Sequence, residues 1–498
     1  MPRTARSSST RKRSRAGSTR RSCARRSGPG KAAGSPEPEN QVRARRARGY
    51  RSRYEARPVH DDAGSRPGAL NTAISSPGRA PRALLCARLA FREETAMPDH
   101  RTLGRELGLF GSDPLIGAGL PYLLPGGAAV RHVLEEYVRE VERRAGYRHV
   151  VSPVLGKREL YELSGHWAHY RDDMFPPMDL GGEQVVLRPS LCPHHALIYR
   201  SRAHSHRELP LRLAELGGMY RAELSGVLGG LSRVRAIQLN DAHIFCLPEQ
   251  VGAEVRGALA LIRRGYRDLG LKPARYRLSL PDNRGKYAGA ADAWERAAEV
   301  LVDALEGIEY ERGPGEAAFY GPKIDVQIAD SSGRESTLST VQIDLHQPKR
   351  FGLEYVGPDG RAHRPVLVHR AVLGSLERVL AHLIEVHGGA FPPWLAPVQV
   401  AVLPVGDAEL PAAEAVAEEA MDAGLRAEVV AADRGSLGSR IRDRRLVPYQ
   451  AVIGPREAAA DLIAPRLRDG RKLDPLPGRE FVAAVVARAA SRSEVLWS

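Results

Sequence analysis

The hydrophobic pattern is clearest from the second fifth of the chain onward. Between Ala128 and Ala145 apolar residues recur at Val130, Val133, Leu134, Tyr137, Val138 and Val141. Steps of three and four predict an amphipathic helix with a charged opposite face. A strand is predicted from Tyr147 to Val151, ended by Pro153, since proline suits a strand end better than its interior. Next come a strand Ala214–Glu223, a glycine-bearing loop Leu224–Ser232 and a strand Val234–Cys246. So short a connection implies antiparallel pairing. Helices are expected at Ala253–Leu269 and Asp292–Leu305, strands at Phe319–Ile328 and Glu335–Asp344, and a helix at Gly374–Val386.

After a proline-rich linker, Pro392 to Pro397, the period changes. Strand Val398–Leu403, helix Ala412–Ala423, strand Leu425–Val430, helix Gly435–Arg445 and strand Gln450–Ile453 alternate, and a last helix is expected at Gly478–Ala490. This alternation argues for a compact α/β domain with a mainly parallel sheet. No internal repeat is visible.

Composition alters the picture at one end only. Residues 1–96 hold 23 Lys and Arg against 7 Asp and Glu, whereas the other 402 residues hold 51 against 52. The formal charge of +15 therefore belongs to the tail, and a basic body that coats nucleic acid is excluded. Rich in Arg, Ser, Gly, Ala and Pro and without a lasting period, the tail is expected to be disordered. Three readings of it stay open: a nucleic-acid-binding arm, a transit peptide, or translation assigned from a start too far upstream. Met97 opens the first segment that reads as folded protein, Met97-Pro-Asp-His-Arg-Thr-Leu-Gly-Arg-Glu-Leu-Gly-Leu-Phe110.

The longest stretch without Lys, Arg, Asp or Glu, Val386 to Gly406, is broken by four prolines and contains His387, so no membrane span is expected. Cys23, Cys86, Cys192 and Cys246 form no disulfide framework and point to a reducing, cytoplasmic setting.

Three segments concentrate polar chemistry. In Met219-Tyr-Arg-Ala-Glu-Leu-Ser-Gly226, Arg221 and Glu223 stand two apart and are expected on one face of a strand, as are Asp241 and His243 on its partner. A face with these four charges is poor core material. It reads either as a paired surface face or as the floor of a substrate site. The other two segments are Leu187-Arg-Pro-Ser-Leu-Cys-Pro-His-His195 and Val368-His-Arg-Ala-Val-Leu-Gly-Ser-Leu-Glu-Arg378. Cys192, His243 and His369 would together make a three-ligand zinc site with an open fourth position. Their spacing matches no compact metal motif. Cys246, an odd number of residues from His243, is expected on the opposite face.

Ser164-Gly-His-Trp, Arg188-Pro-Ser-Leu-Cys-Pro, Tyr220-Arg-Ala-Glu-Leu-Ser-Gly, Arg233-Val-Arg, Asp241-Ala-His-Ile-Phe-Cys, Phe319-Tyr-Gly-Pro-Lys-Ile, Thr340-Val-Gln-Ile-Asp and His369-Arg-Ala-Val-Leu-Gly-Ser-Leu-Glu-Arg occur in one order. With Trp394-Leu-Ala-Pro-Val-Gln-Val, they make the chain resemble the threonyl-tRNA synthetases, which are class II aminoacyl-tRNA synthetases. The resemblance covers roughly residues 99–490. It implies an α+β catalytic domain, residues 97–393, whose antiparallel sheet is flanked by helices. It also implies a small anticodon-binding α/β domain, residues 394–498, and a homodimer joined through Ala128–Ala145 and Tyr147–Pro153.

By the same resemblance Arg221 grips the α-phosphate of ATP and the threonine carboxylate. Glu223 and Arg233 hold adenine and the distal phosphates, and Arg378 faces the γ-phosphate. Gln342, Tyr320 and Lys323 line the cleft. One zinc ion per subunit on Cys192, His243 and His369 binds the amino and hydroxyl groups of threonine, Asp241 accepts the hydroxyl, and Mg2+ accompanies ATP. His166 stands near the terminal ribose of the tRNA, while Glu457 and Arg466 contact anticodon bases.

Some positions depart from the family pattern. Leu239 replaces a common Gln, Ser190 a Met, Gly229 a His and Thr337 a Gln. The family's N-terminal ubiquitin-like and editing domains have no counterpart in residues 1–96, so editing in cis is not expected. The leading reading is a threonine–tRNA ligase acting on ATP, threonine and its tRNA. A specialised duplicate, inhibitor-resistant or activating another amino acid, is the alternative. A non-catalytic paralogue that binds RNA fits less well, because the arginines and metal ligands are retained.

Overall fold

The computed structural model describes residues 99–282, 287–288 and 290–497. The basic tail, with the expectations attached to it, lies outside the described residues. Among the described residues no helix is long and apolar enough to cross a membrane.

The principal elements run α1 (His100–Glu106), α2 (Pro125–Arg144), β1 (Arg148–His149), α3 (Cys192–Arg200), β2 (Leu211–Tyr220), β3 (Ala236–Cys246), α4 (Val251–Leu269), β4 (Arg275–Leu280), α5 (Ala291–Ala304), β5 (Tyr310–Pro314), β6 (Lys323–Ala329), β7 (Glu335–Asp344), β8 (Val366–Ser375) and α6 (Leu376–His387). Eight strands form one sheet in the order β5-β4-β6-β7-β8-β3-β2-β1. Its central pairings are antiparallel, and only the two outermost, β5 with β4 and β1 with β2, are parallel.

The sheet has two chemically different faces. Ala242, Ile244 and Cys246 of β3, Ile324 and Val326 of β6, Val341 and Ile343 of β7 and Val368 of β8 enter one large apolar core. The apolar stripe of α2, Val130, Leu134, Tyr137, Val138 and Val141, and that of α4 fill its other side. Residues alternating with these point to the opposite face, so polar side chains can gather there without disturbing the core. Cys246 falls on the core side, as its odd spacing from His243 predicts.

Several boundaries correct the sequence reading. The first hairpin strand stops at Tyr220 rather than Glu223. The Arg221 amide still pairs with Arg235, but the Ala222 amide turns away to the Asp173 carbonyl at 2.8 Å, which ends the ladder. Arg221 and Glu223 therefore do not share a strand face. The expected helix from Gly374 begins at Leu376, and Gly374 and Ser375 end a strand that the sequence reading missed. Gly374 has φ +59°, and a Cβ there would sit 2.0 Å from the Leu338 carbonyl oxygen, so only glycine lets β8 pass this close to β7. Pairing of β8 with β3 slips between Arg370 and Gly374, and the Asn240 side chain accepts the freed Leu373 amide at 3.2 Å. The slip aims α6 at the polar face. Ser375 caps that helix by accepting the Arg378 amide at 3.2 Å.

Behind the polar face, Arg370 is fully buried. It pairs with Glu142 of α2 at 2.7 Å and lies over the Tyr147 ring at 4.1 Å. Glu142 also accepts from Asn240 at 2.7 Å and meets His149 at 3.1 Å. Burial favours the neutral acid, yet these partners hold Glu142 below the usual carboxylate range. A single carboxylate thus fastens α2 and β1 to β3 and β8.

The C-terminal segment comprises β9 (Val400–Pro404), α7 (Leu410–Asp422), β10 (Ala427–Val429), α8 (Leu437–Asp443), β11 (Tyr449–Ile453), α9 (Pro455–Ala460), β12 (Leu462–Leu467), β13 (Leu476–Pro477) and α10 (Gly478–Ala490). Its sheet runs β10-β9-β11-β12-β13 around a separate apolar core. The expected mainly parallel sheet is mixed: two pairings are parallel, and the two made by β12 are antiparallel.

Candidate active site and metal centre

The polar face of the sheet floors a cleft of about 340 Å³. Alternate residues of neighbouring strands line it: Leu239, Asp241 and His243 from β3, Lys323 and Asp325 from β6, Thr340 and Gln342 from β7, His369 from β8. Arg221 enters from the end of β2, Arg378 from the first turn of α6, Tyr320 from the segment before β6, and Cys192 from the start of α3. His166 and Ser190 close one wall. The cleft brings together, from eight stretches of sequence, all but two of the candidate residues assigned to the catalytic part.

The two exceptions are Glu223 and Arg233, which do not line it. They pair with each other, Arg233 donating to the Glu223 carboxylate at 3.0 Å through Nε and approaching it at 2.7 Å through a terminal nitrogen. Both belong to the segment after β2, whose departure from the ladder turns Glu223 away from Arg221.

Cys192, His243 and His369 are all buried, and one donor atom from each lies within 4.8 Å of the others. The wiring of the two imidazoles leaves one nitrogen apiece for a cation. His369 Nε2 meets Asp344 at 2.9 Å, freeing Nδ1. His243 Nδ1 meets His195 Nδ1 at 2.8 Å, and His195 Nε2 meets Glu215 at 3.0 Å. His243 Nε2 is then buried with no hydrogen-bond partner, its nearest carboxylate being Asp241 at 3.9 Å. A buried imidazole nitrogen left unbonded beside a thiol and a second imidazole suits a divalent cation that takes nitrogen and sulfur donors. Without a cation, burial pushes the Cys192 thiol up to about 12 and holds His243 far below its ordinary value. Burial likewise raises Asp241 to about 6.

Sequence reasoning missed the residues behind these ligands. Burial alone would raise Glu215, but hydrogen bonds from His195 and Ser152 and the charge of Arg188 outweigh it and bring the carboxyl down to about 2. Arg188 pairs with Glu215 at 3.0 Å, and the Ser152 hydroxyl donates to it at 2.6 Å. One signal was available. Glu215 interrupts the inward series Leu211, Leu213, Gly217, Met219 on β2, and an acid there needs buried partners.

Elsewhere in the cleft Tyr320 stacks on His369 with ring centroids 4.8 Å apart and donates to Gln342 at 2.8 Å. Lys323 donates to Asp325 at 2.7 Å, as does Ser279. Ser190 bonds both Cys192 Sγ, at 2.8 Å, and His166 Nε2, at 3.1 Å. Burial lowers His166 to about 3, so it is neutral.

The two arginines stand apart from this wiring. Arg378 donates to the carbonyls of Ser232, at 2.9 Å, and Thr337. Burial first, then repulsion from Arg221 and Arg233, lowers its proton affinity. Among the described residues neither Arg221 nor Arg378 has a carboxylate in ion-pair contact. Two guanidinium groups without a carboxylate partner, in the cleft that holds Cys192, His243 and His369, are equipped to clamp a polyanion.

A family profile described as the tRNA synthetase class II core domain (G, H, P, S and T) matches residues 175–387, and one described as the anticodon binding domain matches residues 399–488. A solved structure titled as the RNA binding domain of threonyl-tRNA synthetase from Cryptosporidium parvum Iowa II superposes with a TM-score of 0.74. It is 34% identical and covers 78% of this chain and 98% of its own. The chain belongs to the threonyl-tRNA synthetase family. Curated family members named threonine–tRNA ligase include one from Geobacillus sp. (strain WCH70), 47% identical over 402 residues, which are 79% of this chain and 62% of that protein. Threonine–tRNA ligase 1 of Bacillus subtilis (strain 168) is 47% identical over 408 residues, 80% of this chain and 63% of its own length. The chain thus spans about three fifths of the curated synthetases it matches.

In this family member Glu457 caps α9, accepting the Gly454 amide at 3.0 Å, and Arg466 lies half-buried on β12 opposite Gln450. They occupy adjacent elements of the C-terminal sheet, far along the chain from the cleft.

The relay behind His243 can be tested by cation affinity. His195→Ala removes the acceptor that orients the imidazole, and loss of such outer partners weakens metal binding by about 10–100-fold. Zn2+ affinity measured by competition with a chromogenic chelator should fall by that factor, while Cys246→Ala, on the core side, should leave it unchanged.

Proposed function

We propose that this chain catalyses ATP-dependent activation of threonine and its transfer to the 3′ end of threonine tRNA. In this reading residues 97–393 form the catalytic domain and residues 394–498 the anticodon-binding domain. The observation that carries it is the pairing of an unbonded His243 Nε2, within a Cys192–His243–His369 donor set, with two arginines that no carboxylate neutralises.

Cys192, His243 and His369 would hold one zinc ion, which supplies Lewis-acid recognition of an amino group beside a hydroxyl. Asp241 would accept the hydroxyl of threonine, and valine offers none. A site built for a hydroxyl rejects the isostere because its own buried groups are left unpaired. Arg221 would hold the threonine carboxylate against the α-phosphate, so that the attacking oxygen and the phosphorus meet in a fixed geometry. Its permanent charge also stabilises the negative charge that grows on the phosphate oxygens. Arg378 takes the γ-phosphate side, where ATP arrives with Mg2+. Glu223 and Arg233, paired with each other, would hold adenine and the distal phosphates. Tyr320, Gln342 and Lys323 shape the amino-acid end. His166, neutral and held by Ser164 and Ser190, stands at the wall the terminal ribose would approach. The setting is cytoplasmic.

One observation favours a specialised duplicate as a second reading. Ser190 places a hydroxyl on the Cys192 sulfur, and Leu239 puts an apolar group two residues from Asp241. Pyrophosphate exchange with each of the twenty amino acids distinguishes the two readings. Threonine should support exchange and valine should not. Serine should support measurable exchange, since one methyl group discriminates by only about 1–3 kcal/mol. Exchange led by another amino acid would move the assignment to the duplicate, and none would end both.

Glu457 and Arg466 are proposed to contact anticodon bases, whose pairing edges are exposed in a single-stranded loop. Arg466→Ala should lower tRNA charging and leave threonine-dependent exchange intact. Equal loss of both would show that the residue supports folding instead.

A homodimer is proposed through α2 and the segment after β1. Val151 is 94% exposed there, close in sequence to exposed Leu155. The two-residue β1 also leaves a sheet edge open. Sedimentation equilibrium at micromolar concentration should give twice the chain mass, and a monomer would refute the assignment.

A further inference from the structure

The segment Asp99-His100-Arg101 opens the described chain, and no part of the catalytic reading uses it. His100 nevertheless sits at a junction of three elements. It is only 6% exposed. Its Nδ1 lies 2.8 Å from Glu385 on α6, and its own backbone amide donates to the same carboxylate oxygen at 3.0 Å. Its Nε2 lies 3.2 Å from the Leu231 amide, which donates to it, and 3.3 Å from the Gly229 carbonyl. The remaining Glu385 oxygen accepts the Ser331 amide at 2.8 Å, in the turn between β6 and β7.

These bonds close a circuit around the loop between β2 and β3. Arg378 of α6 grips the loop directly at the Ser232 carbonyl, 2.9 Å away. Glu385, seven residues further along the same helix, grips it through His100 at Leu231. Consecutive loop residues are thus tied to two points of one helix. The packing leaves no slack. Gly230 has φ +60°, and a Cβ there would fall 2.7 Å from His100 Nε2 and 2.6 Å from Arg101 Cγ. The Leu231 side chain is fully buried beside it.

We propose that His100 is a positioning residue for the nucleotide: as the link between Glu385 and Leu231, it fixes the loop that carries Arg233 at the height set by Arg378. The inference rests on the synthetase reading given above and adds a residue that touches no substrate. The loop between the paired strands has internal ties, among them the Glu223–Arg233 pair, Arg235 on the Glu223 carbonyl, and the Ser232 hydroxyl and amide on the Gly229 carbonyl. These hold it to itself; Arg378 and His100 hold it to α6. Without His100 the loop would keep its internal bonds and the Arg378 tie but lose its second tie to α6; ATP binding would then have to fix its position, and the apparent affinity would fall. The amino-acid end of the cleft, built on β3, β7 and β8, would be unaffected.

The test compares the wild-type chain with His100→Ala and His100→Gln. Pyrophosphate exchange is measured over ATP and threonine concentrations, and hydrogen–deuterium exchange over peptides covering 224–233. His100→Ala should raise the KM for ATP about tenfold, the scale of one lost bond to a charged network, and leave the threonine KM unchanged. The loop peptides should exchange faster in the substrate-free protein, while peptides of β3 and β8 should not. His100→Gln, whose amide can donate to Glu385 and accept from Leu231, should restore both. The inference is overturned if His100→Ala keeps the wild-type ATP KM and loop exchange. It is equally overturned if both KM values rise together with accelerated exchange across the sheet, which would mark a general folding defect. A wild-type chain without threonine-dependent exchange would refute the synthetase reading, and the loop-exchange comparison would still decide the role of His100.

Discussion

Burying a charge costs several kcal/mol unless a partner compensates it, and most of this catalytic unit can be traced to how that condition is met. The sheet presents one apolar and one charged face. On the apolar side the exception, Arg370, is answered by Glu142. On the charged side Glu215 is answered by Arg188 and His195, Asp344 by His369, and Asp325 by Lys323. Among the groups left open in the cleft are therefore Nε2 of His243, which has no hydrogen-bond partner, and the charges of Arg221 and Arg378, which no carboxylate of the described residues contacts. These are the points where a cation and a polyanion would complete the wiring. The cleft is defined as much by missing intramolecular partners as by its shape.

The sequence grouped the residues that line the cleft more fully than it did the architecture around them. Alternation along β3 separated Asp241 and His243 from Cys246, and the structure keeps that division. The long amphipathic helices α2 and α4 were legible because their apolar stripes exceed any chance run. Strands at and next to the sheet edges were not. In β4 and β5, Arg275 and Arg277 pair with Glu311 across the strands, so the segments read as polar loops. In β12, Pro465 sits inside the strand, where proline argues against a central position, and missing it produced the expectation of a mainly parallel C-terminal sheet. Strand β8 was hidden for another reason: His369 and Arg370 face opposite sides, each satisfied by a partner far away in sequence. Local periodicity cannot register a pairing that only tertiary structure supplies, and the same limit concealed His195, Glu215 and Asp344.

Helix α6 joins these observations. Its start is fixed by backbone geometry at Gly374 and by the Ser375 cap, not by helix propensity. That start aims Arg378 into the cleft. From the next residue on, the helix carries an apolar stripe that belongs to the core, with Val379, Leu380, Leu383 and Ile384 buried. A cation carried by an element so anchored cannot swing away from the repulsion of Arg221, so its burial lowers its proton affinity rather than relaxing its position.

Rigid repulsion of this kind is a form of preorganisation. Two cations held near each other, offset only in part by Glu223 and Glu377, destabilise the cleft, and a polyanion entering it would relieve that repulsion. Part of the affinity for any polyphosphate that bound there would thereby be prepared in the folded protein, at the expense of folding stability. The Glu142–Arg370 pair behind the sheet fits the same logic. It is a costly buried ion pair where apolar residues would pack well, yet it ties α2 to the two strands that carry His243 and His369. If the helices behind the sheet could shift against β3 and β8, the donor atoms in front would separate, and a three-donor cation site tolerates little displacement. The charges that weaken the fold are those that keep the cleft in register.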